Sequence, residues 1–523
     1  MNVLLVCPPA TLGLPNLGKK YTFVQFFLSN LLKRYGRETV VGEHMGLEYL
    51  ASCLKQAGHR VTLLDACLMQ YEDWQQVADH LCNMKGEPFG LVGFTGSQDV
   101  FLENIYTARA LRAAGWRGHF IHGHDFCSLN HEEIIRKFPV LDSIGRGEGE
   151  QLIIDLVDTL ERGGNLAEVE GLTYRENDAV RVNQPRLLIE DIDQIPFPDR
   201  QNWSYSREAE LAMGVVSSRG CGYNRCTFCY PNVFTSANQP LPGGPWRARS
   251  AENVVEEIAR LTTDYSPHRI TFVDENFLGC GAAGFERAYR IGREILRRKV
   301  KVNYMINIRS VDVDRDLLKL LKESGLRSLF VGFESGSQKI LDYYQKGATV
   351  PQQARALEII QDLEIDLVVG YIFFDPISTL EDLRQSLHFY VRLNQYDVSK
   401  FSQRLRVLPG TLIYKRMQAE QTVFGDIWHT TYDFSSPKID TVYTLVRGLF
   451  FSLLPTLLGR TVTDRPLPEK QAERVISLME SDFHTALDLA EKGLEHDHES
   501  VAKIVEQWSS DILQCITEAD EAG

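Results

Sequence analysis

Three cysteines fall within nine residues, at Cys221, Cys226 and Cys229 in the run SSRGCGYNRCTFCY (217–230). Thiolate is a soft ligand that suits iron–sulfur clusters and zinc. Three thiolates on one loop wrap a cubic cluster and leave one iron open to an external ligand, which is what a reactive cluster requires. A structural zinc ion usually takes four ligands, often as two spaced pairs, and this loop holds neither a histidine nor a second Cys-x2-Cys. Zinc and inert thiols stay as the alternatives at this point. Gly220 and Gly222 let the loop turn tightly. The other seven of the ten cysteines are scattered, as buried thiols of a long chain are, and do not look like a disulfide framework.

The elements that must position this loop follow from periodicity. Short apolar runs at 3–7, 60–64, 91–94, 119–122 and 142–145 read as strands, and patterns at 46–57, 74–83, 102–114, 132–137 and 151–162 read as helices. In 46–57 the residues Leu47, Leu50, Ala51 and Leu54 form one apolar stripe, with Gly58 as the terminating cap. This alternation predicts an α/β, doubly wound, Rossmann-like domain over 1–165, with ligands at the carboxyl ends of its strands. Residues 166–208 read as a linker, because DIDQIPFPDR (191–200) carries two prolines suited to extended chain.

A second alternation runs over 209–420. Its strands are expected at 214–217, 270–273, 302–306, 328–331, 366–371 and about 399–407. Helices are expected at 251–262, 285–297, 314–324, 351–363 and 380–393. Such units predict a partial (β/α)6 barrel with its chemistry at the strand carboxyl ends, which is where the cysteine loop starts. Residues 421–523 read as mostly helical. The apolar run 442–458 holds Arg447 and Pro455 and falls short of a clean membrane span. It is read as a buried core helix, with a greasy substrate wall or a membrane-surface contact as alternatives.

Composition narrows the partners. A net charge of −14 argues against nucleic acid, which usually meets a basic face. The N-terminal run lacks a basic segment and breaks at Pro8, so no signal peptide is expected and the location is read as cytoplasmic.

The cysteine loop resembles the signature of the radical S-adenosylmethionine (SAM) superfamily, normally C-x3-C-x2-C with an aromatic before the last cysteine. Phe228 fills that position, but four residues, not three, separate Cys221 from Cys226. The resemblance extends over about residues 1–415 through WRARSAENVVEEI (246–258), ITFVDENF (270–277), LFVGFESGS (329–337) and LRVLPGTLIY (405–414), in the order found in members with an N-terminal cobalamin-binding domain.

That resemblance implies a [4Fe–4S] cluster on the three cysteines and SAM on the open iron. Backbone around Phe228 would meet the adenine, and Asp274, Glu275 and Asn276 would line the SAM side. Glu334 and Ser335 would sit near the ribose or methionine, and Arg309 near the SAM carboxylate. In the first domain it implies cobalamin against Pro8, Thr95, Gly96, Ser97, Gly123, His124, Gly147 and Glu148. His124 and His44 are candidates for the cobalt side. No DxHxxG run is present to supply the usual histidine. The implied activity is methylation of an unactivated carbon or phosphorus on a small molecule, with an external electron donor such as flavodoxin or ferredoxin. A rearrangement, cyclisation or ring contraction needs the same domains. A methylthiotransferase and a cobalamin sensor are the remaining readings.

Overall fold

A computed structural model describes residues 1–9, 43–84, 88–208, 211–237, 246–279, 281–394, 398–462, 469–493 and 498–522. Cys280 lies outside the described residues.

Five parallel strands build the first sheet: β1 (Asn2–Cys7), β2 (Arg60–Asp65), β3 (Leu91–Phe94), β4 (His119–His122) and β5 (Ser143–Gly145). Alternate residues of β1 feed opposite faces, as the two-residue period of a strand dictates. Leu4 and Val6 join Val92, Phe94 and Phe120 under helices Trp74–Asn83 and Phe101–Ala113. Val3 and Leu5 join Leu91 and Ile121 under helices Met45–Gln56 and Glu150–Glu161. The strand order is β2-β1-β3-β4-β5, so connections leave in opposite directions on either side of β1, and a crevice opens at the carboxyl ends of β1 and β3.

The stretch expected to be only a linker contributes two strands. β6 (Leu172–Glu176) and β7 (Ala179–Val182) form an antiparallel hairpin that extends the first sheet beyond β5. β6 is buried over three consecutive residues and β7 is almost wholly exposed, so neither shows the alternation that marks a strand.

The second sheet starts at β8 (Met213–Val215). A two-stranded ribbon, β9 (Ser218–Arg219) with β10 (Arg247–Ala248), then brackets the cysteine loop. β11 (Ile270–Phe272), β12 (Tyr304–Arg309), β13 (Leu326–Glu334) and β14 (Asp366–Tyr371) follow in parallel, in the order β8-β11-β12-β13-β14. Several of the intervening helices start on side-chain caps: Ser250 for Ala251–Asp264, and capping boxes at Thr349 with Gln352 and Thr379 with Asp382.

The sixth strand expected near 399–407 is reduced to one parallel bridge between Phe374 and Arg404, flanked by a short 3-10 turn, Val398–Ser402. Packing explains the loss. Phe401 is fully buried, stacked 5.6 Å from Phe373 and tilted 6.1 Å from Phe483 of the C-terminal helices, so side-chain burial sets this segment's path.

Helices Pro437–Val462, Glu469–Glu491 and His498–Ala522 pack together and close that side of the barrel. Val442, Leu445, Val446, Leu449 and Leu453 are buried in the shared core, while Arg447 is exposed. The 442–458 run is therefore a core helix. Among the described residues, no helix is long and apolar enough to cross a membrane. Before these helices, Trp428 inserts into the first domain among Phe101, Phe126 and Phe138, at ring separations of 5.0, 5.3 and 5.4 Å. Gln98 Nε2 donates to the Ile427 and Trp428 carbonyls, each at 2.7 Å, and fixes the insertion.

Candidate active site

The cysteine loop leaves β8 at the carboxyl end of the barrel and is held from beneath by the acidic residues after β11. The Asp274 carboxylate accepts from the backbone N–H of Ser217 (2.7 Å) and Ser218 (3.0 Å) and from both their hydroxyls. Burial raises the Asp274 carboxyl, while Arg287 and the serine donors oppose the rise. Arg287 adds a bond to the Ser217 carbonyl at 2.7 Å. Glu275 Oε2 accepts from the Gly220 N–H at 3.0 Å. Asn276 donates to the Gly279 carbonyl at 2.6 Å and accepts from the Leu278 N–H, so it closes its own turn. Asp274 is fully committed to shaping the loop, Glu275 gives it one oxygen, and Asn276 is turned into its own loop.

From above, the loop is held by residues 343–347 and 413. The Thr227 N–H donates to the Tyr344 carbonyl (2.9 Å), and Ile413 N–H donates to the Thr227 carbonyl (2.9 Å). Phe228 meets Tyr344 edge-on with ring centroids 5.0 Å apart. The three thiols are partly buried, and the Cys229 N–H donates to the Cys226 carbonyl at 3.3 Å. Burial, then the neighbouring thiols, push the Cys229 thiol up to about 12. Cys226 is also raised by burial, with Lys346 opposing. Such thiols stay protonated at neutral pH and become thiolates when a metal replaces the proton.

The donor set fits a cluster. Among the described residues, the one trio of potential ligand atoms within 4.8 Å of each other is His59, Asp158 and Glu161, on the first domain. The three sulfurs are thus spread more widely than ligands converging on a single ion. Arg309 Nε and Asp312 Oδ2 are buried beside the loop without a hydrogen-bond partner, as expected where a polar ligand belongs.

Lys346 is the residue the sequence reading missed. It is 6% exposed, and its ammonium lies 2.8 Å from Glu334 Oε1. Burial alone would lower the Lys346 pKa, but Glu334 and Cys226 together carry it upward. Glu334 ends β13 with φ +67, a strained conformation for a residue with a side chain, and a register shift there turns it toward Lys346. A lysine in a helix-terminal QKG run carries no sequence signal of burial; only the return of 344–347 over the loop reveals its place. Ser335 points elsewhere: its hydroxyl pairs with Ser386 at 2.8 Å inside the protein.

A second cleft opens at the carboxyl ends of the first sheet. Its lining includes Leu47, Leu50, Thr95, Gly123, His124 and Gly147, with Glu148 and Arg219 at the side facing the barrel. A Cβ built on Gly123 meets nothing within 4 Å, and Gly147 takes φ +81, so bare backbone faces a broad empty space. That apolar, side-chain-poor wall suits a large flat ligand such as a corrin.

Three expected contacts stand outside that lining. Gly96 packs against Val100 and Pro8, the Pro8 carbonyl accepts from the Cys67 thiol at 3.4 Å, and Ser97 is exposed. His44 and His124 are brought close to each other. Burial, then His124, push the His44 imidazole down to about 4. His44 Nδ1 accepts from the Leu47 N–H at 3.3 Å as a helix cap, which leaves the ring proton on Nε2, 3.5 Å from Thr95 Oγ1. His44 is therefore a cap, not a free cobalt-side nitrogen. His124, at φ +87, pairs with Asp125.

Glu148 joins the two clefts. Its oxygens accept from Arg219 (2.8 Å), from two nitrogens of Arg247 (both 2.9 Å) and from the Ile189 N–H (2.7 Å). Burial would raise this carboxyl, but the two guanidiniums hold it below the usual range. Arg219 also pairs with Glu150. Since Arg219 lies two residues before Cys221, the cysteine loop is anchored directly to the rim of the second cleft.

Known proteins match this architecture. Residues 215–390 match the radical SAM superfamily. An uncharacterized methyltransferase of Pyrococcus horikoshii is 27% identical over 83% of this chain and 87% of its own length. The anaerobic magnesium-protoporphyrin IX monomethyl ester cyclase of Cereibacter sphaeroides is 26% identical over 74% of this chain and 62% of its own. The structure of the cobalamin-dependent SAM radical enzyme OxsB, with aqua-cobalamin and SAM bound, superposes with a TM-score of 0.70 at 18% identity, covering 99% of this chain and 80% of that one, and shows the same fold. The family match begins in the strand that delivers the cysteine loop and ends in the helix after β14, so residues 215–390 form a radical SAM domain.

Proposed function

We propose that this protein is a cobalamin-dependent radical SAM methylase that acts on an unactivated carbon, or phosphorus, of a small molecule. The observation that carries the reading is the Arg219–Glu148 junction, which sets the cysteine loop beside the cleft of the first sheet. A methyl carrier in that cleft and a radical source on the loop would then face a common substrate space. When bound, the cluster, SAM and cobalamin supply one-electron cleavage of SAM and carriage of a methyl group.

The chain's own residues do the positioning. Cys221, Cys226 and Cys229 hold the cluster, and Asp274 and Glu275 fix the backbone that presents them. Backbone around Phe228 would meet the adenine, Glu334, paired with Lys346, would lie near the ribose or methionine, and Arg309 would offer its guanidinium to the carboxylate. Gly123, Gly147 and Thr95 leave room for the corrin. The C-terminal helices close one side of the barrel and exclude water from it. The reducing electron comes from an external donor of the flavodoxin or ferredoxin kind.

Similarity to the cyclase supports a second reading, a ring-forming reaction on the same scaffold. Anaerobically reconstituted protein, supplied with hydroxocobalamin, a reductant and SAM, separates them. The methylase reading expects about four iron per chain, with release of both 5′-deoxyadenosine and S-adenosylhomocysteine. The Cys221→Ala, Cys226→Ala, Cys229→Ala triple variant should lose the iron and the 5′-deoxyadenosine together. Release of 5′-deoxyadenosine without any S-adenosylhomocysteine favours the cyclase-like reading, and a triple variant that keeps both its iron and the cleavage refutes both.

A further inference from the structure

The four-residue spacer between Cys221 and Cys226 has a built destination. Tyr223 leaves the loop and crosses to residues 345–347. Its hydroxyl donates to the Gln345 carbonyl at 2.7 Å. Its ring lies 3.7 Å from the guanidinium carbon of Arg309. Arg309 Nη2 donates to the next carbonyl, that of Lys346, at 3.0 Å. The surroundings are shaped to admit the ring: at Gly347, φ is +63 and an added Cβ would stand 2.3 Å from the Tyr223 oxygen. Asn224 takes φ +46, which turns the chain back toward Cys226 at once. Ring, guanidinium and two consecutive carbonyls thus form a closed unit, and the Arg309 Nε is left buried without a partner.

We propose that Tyr223 is a positioning residue: the additional spacer residue lets the cysteine loop place an aromatic ring against Arg309, so that cluster and SAM-carboxylate partner are set by one contact. A stacked guanidinium has its plane fixed, and a fixed plane directs its remaining N–H groups, which a carboxylate reads in pairs. A lysine at position 309 would keep the charge and lose the plane. This rests on the reading of the loop as the cluster and SAM site.

The test compares wild type with Tyr223→Phe, Tyr223→Leu, Arg309→Lys and the double variant Tyr223→Leu with Arg309→Lys. Iron content, SAM affinity and the electron paramagnetic resonance signal of the reduced cluster with and without SAM are measured on the reconstituted protein. Tyr223→Phe keeps the ring and should stay near wild type. Tyr223→Leu keeps an apolar but smaller side chain without an aromatic face; it should keep its iron, bind SAM about tenfold more weakly and show a smaller SAM-induced change in the cluster signal. Arg309→Lys should do the same, and the double variant should be no weaker than the worse single one, since both remove one interaction. Tyr223→Leu with wild-type SAM affinity and signal overturns the proposal, as does simple additivity. Wild-type protein that holds no iron–sulfur cluster overturns the site reading and the clamp with it.

Discussion

The two clefts of this protein are built on opposite principles. At the barrel mouth almost every polar side chain that the sequence advertised has a partner: Asp274 on Ser217 and Ser218, Glu275 on Gly220, Glu334 on Lys346. At the end of the first sheet the lining is mainly glycine, leucine and isoleucine, with open space beyond Gly123 and the charged residues Glu148, Glu150 and Arg219 on the side facing the barrel. A small cluster held by three side chains needs them fixed before it arrives, so the loop is wired from both sides. A broad planar ligand needs side chains to be missing, so that cleft is defined by what its strand ends lack. Polar residues at the barrel mouth are thus evidence about architecture first and about ligands second.

If that contrast is right, the largest effect comes from cutting the wiring. Lys346→Met leaves the Glu334 carboxylate buried and unpaired, which should cost about 3–5 kcal/mol of stability. Denaturant unfolding measures it, and iron uptake should fall with it. A loss below about 1 kcal/mol would mean that Glu334 escapes to water and the mouth is less rigid than argued.

The open cleft should behave the other way. Gly123→Leu adds a side chain to empty space at a position without positive φ, so stability should change by no more than about 0.5 kcal/mol. Retention of hydroxocobalamin through gel filtration should nevertheless drop sharply. A variant that retains the corrinoid like wild type would place the ligand elsewhere.

The smallest effect is expected at the carboxyl end of β2. Asp65 ends β2 and is 3% exposed, and burial pushes its carboxyl from 3.8 up to about 7. A carboxyl with a raised folded pKa favours the folded state while protonated. Its contribution is full below the unfolded value and is lost as pH rises through about 7. Asp65→Asn should flatten the fall in stability between about pH 4 and pH 7, measured as midpoints across that range. An unchanged slope would assign the fall to another group.

Most of this was legible in one dimension. The strands at 91–94 and 119–122 and the helix at 74–83 could be read to the residue, because apolar period and bounding glycines agree there. Three soft ligands on one loop pointed to a metal or cluster site with zinc and inert thiols still open, and the resemblance to the radical SAM signature chose among them. Where the pattern was weak, the reading went astray: in the β6–β7 hairpin one strand is buried without alternation and the other is exposed, and the sixth strand gave way to the packing of Phe401.

Sequence alone determined most of the element order, the resemblance of the cysteine loop to a radical SAM signature and the three thiols, because covalent spacing and periodicity are local properties. Only the tertiary structure decided which carboxylates face a ligand and which hold a loop, because a hydrogen bond between Asp274 and Ser217 spans 57 residues. It also decided that Lys346, silent in sequence, is buried against Glu334, and that Arg219 ties the cysteine loop to the first domain. Those partners meet through folding of the whole chain, and no local pattern encodes a charge's distant counterpart.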